Sequence, residues 1–304
     1  MSIPLSDGTS VPWLAWGNGS GNARHNAVEC GKIGLESGIR HIDTAQLYLN
    51  ETETGLAIQK AGLPKQEVYV TTKISDRGDK DTAIPVPIDE VREAVQGSLD
   101  RLGFVPDSFL IHNPFVAPPG QLKALWKVLE ELKDEGKLKS IGVSNFRPQD
   151  LEAILDGAKH KPVINQMEYH PYTLAHLEPV LAIHAKHGIV TTSFGPLTPS
   201  LRHPTGGPLK PILARIAERL TKKYGEPIDS NAVLLLWTKA QGVVAITTSA
   251  NPDRIKALGK IAQSNWELEQ DEIDEITRVG KTIHYRHYTE HMEVDFPLPN
   301  LPSQ

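Results

Sequence analysis

The chain is poor in cysteine, in clustered basic residues and in long apolar segments. Its single cysteine, Cys30, excludes an internal disulfide and is typical of a reducing compartment; we expect a buried structural thiol in the first helix. The net charge is −5, and no basic block is longer than Lys222 and Lys223, which disfavours nucleic acid or an anionic membrane as partner. No stretch approaches the ~18 apolar residues of a membrane span, and the first residues lack the pattern of a targeting signal. We therefore expect a cytosolic protein.

Short β-rich runs alternate with longer segments of helical spacing along the whole chain. The runs span residues 11–16, 40–44, 68–73, 108–112, 140–144, 163–166, 189–194 and 243–247. This alternation predicts parallel strands in either an open doubly wound sheet or a closed barrel. Eight units without a linker favour an α/β fold of the (β/α)8 TIM-barrel type, as one domain over residues 1–304, although the length alone also fits two domains. The pair Asp7-Gly8 predicts an N-terminal β-hairpin that caps the barrel bottom.

Polar side chains end several of the predicted strands. Asp43, Lys73 and His112 close the second, third and fourth runs, and Tyr48 follows the second. In a parallel barrel these ends meet at the face that carries the active site. A packed loop tyrosine and a structural ion pair are the alternatives, but residues from successive strands can together surround one phenol. Because a phenol has an ordinary pKa of ~10, proton donation near neutral pH benefits from a neighbouring cation that lowers this pKa.

These residues lie in segments that resemble the aldo-keto reductase family. In family order, the segments are HIDTAQLYLNE (41–51), VTTK (70–73), LIHNP (110–114), IGVSNF (141–146), INQMEYHP (164–171) and SFGPL (193–197). The resemblance implies a barrel that binds NADPH without a Rossmann domain, acts as a monomer and reduces small-molecule aldehydes or ketones. It implies that Tyr48 is the general acid, that Lys73 and Asp43 tune it, and that His112 orients the carbonyl group.

The resemblance also implies a set of cofactor contacts. They are Asp43, Ser144, Asn145, Gln166, Phe194, Leu197, Thr248, Ser249 and Arg254. Phe194 stands where the family commonly stacks a tyrosine on the nicotinamide, so the aromatic face is kept. Thr248 occupies the position of the family's phosphate-binding lysine, but Arg254 can still hold a 2′-phosphate, so we expect NADPH with a reduced margin over NADH. These substitutions resemble fungal reductases of α-keto lactones, α-keto amides and conjugated polyketones.

The expected substrate pocket departs from the family pattern. Asn113 and Gly19 stand where relatives often carry tryptophan, which predicts a wider or more polar pocket. Trp13, Trp16, Phe115 and the C-terminal segment can rebuild the wall, with core packing as the alternative for both tryptophans. Trp16 and Asn113 are the substrate residues that we expect.

Two further patterns have competing interpretations. The segment GNGSGN (17–22) lacks the third glycine of a dinucleotide fingerprint and predicts a flexible loop at the rim. His284, His287, Glu290 and His291 predict a solvated substrate loop, with a metal site as the alternative. We expect no metal.

Two other functions fit the same fold. A barrel that binds NADPH as a regulatory or redox-sensing subunit would show little turnover. An isomerase or hydrolase would use Asp43 and His112 without a nicotinamide. The complete set of polar residues at the strand ends favours a carbonyl reductase.

Overall fold

A short antiparallel hairpin begins the chain in the computed structural model, which describes residues 1–78 and 83–304. Strand β1 (Ser2–Pro4) pairs with β2 (Ser10–Pro12) around the predicted Asp7-Gly8 turn. Ser140, the first residue of a barrel strand, donates a hydrogen bond to Asp7 Oδ2 at 2.8 Å. The hairpin therefore covers the end of the barrel at which the strands begin, as the sequence predicts.

The centre of the molecule is a closed parallel barrel in which the last strand pairs with the first. Its strands are β3 (Leu14–Gly17), β4 (His41–Asp43), β5 (Tyr69–Ile74), β6 (Ser108–Ile111), β7 (Ser140–Ser144), β8 (Ile164–Glu168), β9 (Val190–Phe194) and β10 (Val244–Thr247). Helices cover the outside of such a barrel and side chains fill its inside, so strands buried on both faces appear as nearly continuous apolar runs. The prediction of a (β/α)8 barrel is confirmed.

Helices surround the strands. They are α1 (Gly21–His25), α2 (Ala27–Glu36), α3 (Glu51–Lys60), α4 (Val91–Leu102), α5 (Leu122–Asp134), α6 (Pro148–Leu155), α7 (Leu174–His187), α8 (Thr198–Leu201), α9 (Leu209–Tyr224), α10 (Ser230–Ala240), α11 (Pro252–Gln263) and α12 (Gln270–Gly280). On α5, Leu125, Leu129 and Leu132 recur every three or four residues and are buried against the barrel. Cys30 is buried in α2, as expected of a structural thiol. In the described residues no helix is long and apolar enough to cross a bilayer.

The residues after α12, 281–304, form a C-terminal segment that packs against the barrel. Arg147 donates a hydrogen bond to the Val294 carbonyl, and His176 Nε2 donates to the Phe296 carbonyl at 3.3 Å. Arg147 and His176 follow β7 and β8, so the segment is held at the face where the barrel strands end.

Candidate active site

The carboxyl ends of the barrel strands enclose a cavity of about 600 Å³. Among the predicted site residues, those that line it are Asp43, Tyr48, His112, Asn113, Ser144, Asn145, Gln166, Phe194, Leu197 and Thr248. Lys73 lies behind this lining, fully buried and in contact with Asp43. The fold therefore brings most of the predicted residues to one place, as expected for the strand ends of a parallel barrel.

Tyr48 enters the cavity from a short 3₁₀ turn, Gln46–Tyr48, which follows β4. Its hydroxyl oxygen lies 3.4 Å from His112 Nε2, and its ring centre lies 5.2 Å from Lys73 Nζ. Gly19, in the glycine-rich segment at the cavity rim, packs directly on this ring. A Cβ at position 19 would lie 2.6 Å from Tyr48 Cζ, so the missing side chain makes room for the phenol.

Lys73 and Asp43 form a buried ion pair behind the cavity floor. Lys73 Nζ donates to Asp43 Oδ1 at 2.6 Å and to the Thr44 carbonyl at 2.9 Å. The second oxygen of Asp43 accepts a hydrogen bond from Gln166 Nε2 at 2.8 Å. Burial by itself lowers the pKa of Lys73, but the charge of Asp43 and the adjacent Tyr48 outweigh burial and raise that pKa, so the ammonium stays charged.

Burial dominates the ionisation of Tyr48 and His112. The pKa of Tyr48 is raised because burial outweighs the charge of Lys73, which acts in the opposite direction. The charge of Lys73 lowers this pKa, as expected, but the net shift is upward because burial has the larger effect. The pKa of His112 lies well below 6.5 because burial, and then the charges of Lys73 and His291, disfavour its cation. Near neutral pH the cavity holds a protonated phenol beside a neutral imidazole.

Two amide side chains present free acceptors to the cavity. Ser144 Oγ donates to the Gln166 carbonyl at 2.9 Å, and Asn145 Nδ2 donates to the His112 carbonyl at 3.1 Å. Within residues 1–78 and 83–304, Asn145 Oδ1 and Gln166 Oε1 make no hydrogen bond. A primary carboxamide carries N–H donors that match two such oxygens. The wall therefore fits the carboxamide of a nicotinamide.

The cavity also has an aromatic wall. Phe194, at the end of β9, contacts the edge of the Tyr288 ring, with ring centres 5.3 Å apart and planes at 83°. Leu197, three residues further on, continues the apolar lining. Phe194 thus offers a flat apolar surface suited to packing against a planar ring.

The residues predicted to hold the phosphate end of a cofactor follow β10. Thr248 lines the exposed rim of the cavity, whereas Ser249 and Arg254 lie outside its lining. Arg254 is exposed in the first turn of α11, and in the described part of the chain its guanidinium makes no hydrogen bond or ion pair. The guanidinium is available to an anion that extends beyond the cavity.

Trp16 does not line the cavity, so the expectation that it contacts substrate is wrong. Its side chain lies on the outer face of β3, where a Cβ on Gly31 of α2 would be 3.3 Å from Trp16 Cζ3, and its Nε1 donates to the Ser249 carbonyl at 3.1 Å. Trp13 is also buried and donates to the Ala262 carbonyl at 3.3 Å. Both indoles therefore contact the surrounding helices, Trp16 at α2 and Trp13 at α11, and not the cavity.

Asn113 lines the cavity, but its amide is already paired. Its Nδ2 donates to Asp76 Oδ2 at 3.0 Å, and its Oδ1 accepts a hydrogen bond from the Phe115 backbone N–H at 2.9 Å. Asp76 and Phe115 also line the cavity. Asn113 therefore holds together a wall with one acidic and one aromatic member.

The histidine-rich C-terminal segment is a loop that forms a wall of the cavity and is solvated in part, since His287 and Glu290 are exposed. Glu290 and His291 line the cavity, whereas His284 is buried against His176, with ring centres 5.2 Å apart. In the part of the chain that the structure describes, no group of three acidic, histidine or cysteine side chains is arranged to hold a metal ion.

Several lining residues were missing from the predicted site, and four of them are Leu47, Asp76, Arg202 and Tyr288. Three of them lie in loops whose path the strand and helix pattern does not determine. Tyr288 had a weak signal, since aromatic residues alternate with histidines in the segment HYRHYTEHM (284–292).

Comparisons with known proteins agree with this geometry. A sequence model of the aldo/keto reductase family matches residues 14–281. An NAD/NADP-dependent indole-3-acetaldehyde reductase of Schizosaccharomyces pombe is 30% identical over 94% of this chain and 98% of its own. An NADPH-dependent alpha-keto amide reductase of Saccharomyces cerevisiae is 31% identical over 80% of this chain and 75% of its own.

The fold also matches that of a solved relative. The crystal structure of an aldo/keto reductase from Brucella melitensis is 31% identical and superposes with a TM-score of 0.76, over 92% of this chain and 99% of that one. The family match covers the strand ends that build the cavity. This chain belongs to the aldo/keto reductase family.

Proposed function

We propose that this protein reduces the carbonyl group of aldehydes or ketones to an alcohol, with NADPH as the reductant. One observation carries the proposal: the Tyr48 hydroxyl and His112 Nε2 lie 3.4 Å apart on the cavity floor, in front of the buried pair of Asp43 and Lys73. Two groups at this separation can both reach one carbonyl oxygen. A reduced nicotinamide, when bound, supplies the hydride.

Each residue of this set has a separate task. Tyr48 donates its phenolic proton to the carbonyl oxygen as negative charge develops there. The Lys73 ammonium, 5.2 Å from the Tyr48 ring centre, stabilises the phenolate that remains. Asp43 holds that ammonium in place at 2.6 Å. His112, which is neutral near pH 7, orients the oxygen through Nε2.

The cofactor contacts in this proposal come from three places. Asn145 and Gln166 accept hydrogen bonds from the carboxamide, and Phe194 packs against the nicotinamide ring. Arg254 holds the 2′-phosphate by charge-assisted hydrogen bonds, which favours NADPH over NADH although Thr248 supplies no positive charge. Of the two named relatives, one is described as NADPH-dependent and the other as NAD/NADP-dependent.

For the substrate we propose a compact α-dicarbonyl compound or an α-keto lactone or amide. The lining combines the Phe115 ring with the polar Asn113, and Asn113 Nδ2 carries a second N–H besides the one that it donates to Asp76, so this part of the wall can receive a second carbonyl oxygen next to an apolar group. The alpha-keto amide reductase of S. cerevisiae supports this class. We also propose a cytosolic monomer without a nucleic-acid partner, in keeping with one buried cysteine and a net charge of −5.

Steady-state oxidation of NADPH with a panel of aldehydes, ketones and α-dicarbonyls tests the proposal. Tyr48→Phe should lower kcat by about 10²- to 10⁴-fold, as loss of a general acid does, and should leave the Kd of NADPH unchanged. Tyr224→Phe is the matched control, because Tyr224 ends α9 away from the cavity. A Tyr48→Phe variant with normal kcat refutes the assignment.

The panel also separates the competing functions. Tight binding of NADPH without turnover of any carbonyl identifies a regulatory barrel. Absence of NADPH binding, measured by quenching of tryptophan fluorescence, points to an isomerase or hydrolase that works without nicotinamide.

A further inference from the structure

A buried serine contacts the side of His112 that the proposed reaction does not use. Ser75 Oγ lies 2.7 Å from His112 Nδ1, whereas Tyr48 and the cavity lie on the Nε2 side. Ser75 directly follows β5 and is only 4% exposed. Its oxygen also accepts a hydrogen bond from the Leu47 backbone N–H at 3.3 Å.

The position of Ser75 is fixed by its neighbours. The Ser75 backbone N–H donates to Gln46 Oε1 at 3.1 Å, and Gln46 Nε2 donates in turn to the Ala94 carbonyl at 2.8 Å. His112 is tied to the same strand end, because its backbone N–H donates to the Ile74 carbonyl at 3.0 Å. Ser75 thus joins the turn that carries Tyr48 to the strand end that carries His112.

Counting hydrogens decides the direction of the bond between Ser75 and His112. A neutral imidazole carries one N–H, and the partner of Nδ1 determines which ring nitrogen has it. In the described residues the acceptor within reach of the Ser75 hydroxyl is His112 Nδ1. If Nδ1 carried the hydrogen, the Ser75 oxygen would accept twice and its own hydrogen would be buried without a partner, which is unfavourable.

We propose that Ser75 is a positioning residue that holds His112 in the tautomer with the hydrogen on Nε2. His112 then donates a hydrogen bond to the carbonyl oxygen, beside the proton that Tyr48 donates, as negative charge grows on that oxygen. In the other tautomer Nε2 would present a lone pair to the same oxygen. This role rests on the proposed carbonyl reduction, but the tautomer itself can be measured without any substrate.

Long-range ¹H–¹⁵N correlation spectra of the full-length protein, labelled with ¹⁵N-histidine, measure the tautomer directly. The His112 signals are assigned by their loss in His112→Asn. We expect a pyridine-type Nδ1 and a pyrrole-type Nε2 in the natural protein, both free and with NADP⁺. Ser75→Ala should move these signals toward a mixture, and Ser75→Thr should keep them. A pyrrole-type Nδ1 in the natural protein overturns the proposal.

Kinetics test the consequence for turnover. Ser75→Ala should lower kcat about tenfold, because one neutral hydrogen bond no longer biases the tautomer. The Kd of NADPH should stay unchanged. Ser75→Thr should restore kcat. Ser140→Ala is the matched control, since it removes another buried serine hydroxyl at the opposite end of the barrel and should leave kcat unchanged.

The two assays separate the two proposals. A Ser75→Ala variant with normal kcat, or a Ser75→Thr variant as slow as Ser75→Ala, overturns the role of Ser75. If the natural protein reduces no carbonyl in the panel, the proposed function fails while the spectra still decide the tautomer. If Ser75→Ala does not fold, the spectra of the natural protein and of Ser75→Thr decide it.

Discussion

Replacing Lys73 with methionine tests the buried ion pair that supports the site. Methionine keeps the length of the side chain and its apolar part. It leaves the Asp43 carboxylate without the ammonium that lies 2.6 Å away in the natural protein. Removing one partner of a buried ion pair costs about 3–5 kcal/mol, because the other charge stays buried and unpaired. The hydrogen bond from Gln166 to Asp43 exists in both proteins, so it does not offset this cost.

Urea unfolding at pH 7, followed by circular dichroism, measures this loss. With a denaturant slope of ~3 kcal/mol per molar urea, the midpoint should fall by about 1 M or more. Lys60→Met is the matched control, because Lys60 pairs with Glu29 at 2.9 Å but both side chains are largely exposed; we expect little change there. The double variant Lys73→Met/Asp43→Asn should be more stable than Lys73→Met, since no buried charge is then left unpaired.

The same variant tests catalysis. Lys73 lowers the pKa of Tyr48 against the larger effect of burial, so its removal should raise that pKa further and make the phenolate harder to form. We therefore expect kcat to fall while the protein that remains folded still binds NADPH. A Lys73→Met protein as stable as Lys60→Met, or with unchanged kcat, would refute the reasoning.

Three other predictions concern the glycine beside Tyr48, the preference for NADPH and the stability at low pH. Gly19→Ala should displace the Tyr48 ring, which its Cβ would approach to 2.6 Å, and should lower kcat by about 10²-fold in steady-state assays. Arg254→Ala should raise the KM for NADPH by about 10- to 100-fold and leave the KM for NADH unchanged. Burial lowers the pKa of His41 to about 4. Neutral His41 therefore contributes to the free energy of unfolding above pH ~6.5, and this contribution falls by about 3 kcal/mol as the pH falls toward 4. Urea titrations at several pH values measure the fall, which should be absent in His41→Gln.

Each of these three has a clear contrary outcome. Normal turnover in Gly19→Ala would mean that the phenol needs no space at that glycine. Equal changes in the KM of both cofactors would remove Arg254 from the phosphate site. An acid transition that is unchanged in His41→Gln would assign the loss of stability to other groups.

The sequence predicts the barrel and the floor of its cavity because both depend on strand periodicity. Asp43, Lys73 and His112 end consecutive strands, and the parallel barrel then places them side by side. The net pKa of Tyr48 was not predictable in this way, because it depends on how deeply the loops and the C-terminal segment bury the phenol. Strand register determines on which face of β3 Trp16 lies. A strand that is apolar on both faces does not reveal this register in its sequence.

The walls of the cavity are the least predictable part. Tyr288 and His291 reach it from a segment that lies far along the chain from the strands they cover. Their placement depends on anchors such as the hydrogen bonds from Arg147 and His176 to backbone carbonyls. Every residue has a backbone carbonyl, so such bonds do not require particular residue types in the segment that they hold and leave no pattern in its sequence.

The two chain ends differ in how they tolerate a fused tag or a solid support. The N-terminal hairpin lies at the end of the barrel opposite the cavity, so an attachment at Met1 leaves the cavity mouth free. The last residues are pinned to the protein, since His203 Nε2 donates to the Ser303 carbonyl at 3.0 Å and the His284 N–H donates to the Pro302 carbonyl at 2.8 Å. An attachment at Gln304 pulls on the same segment that supplies the cavity wall. Immobilisation through the amino end is therefore the arrangement that preserves the shape of the substrate pocket.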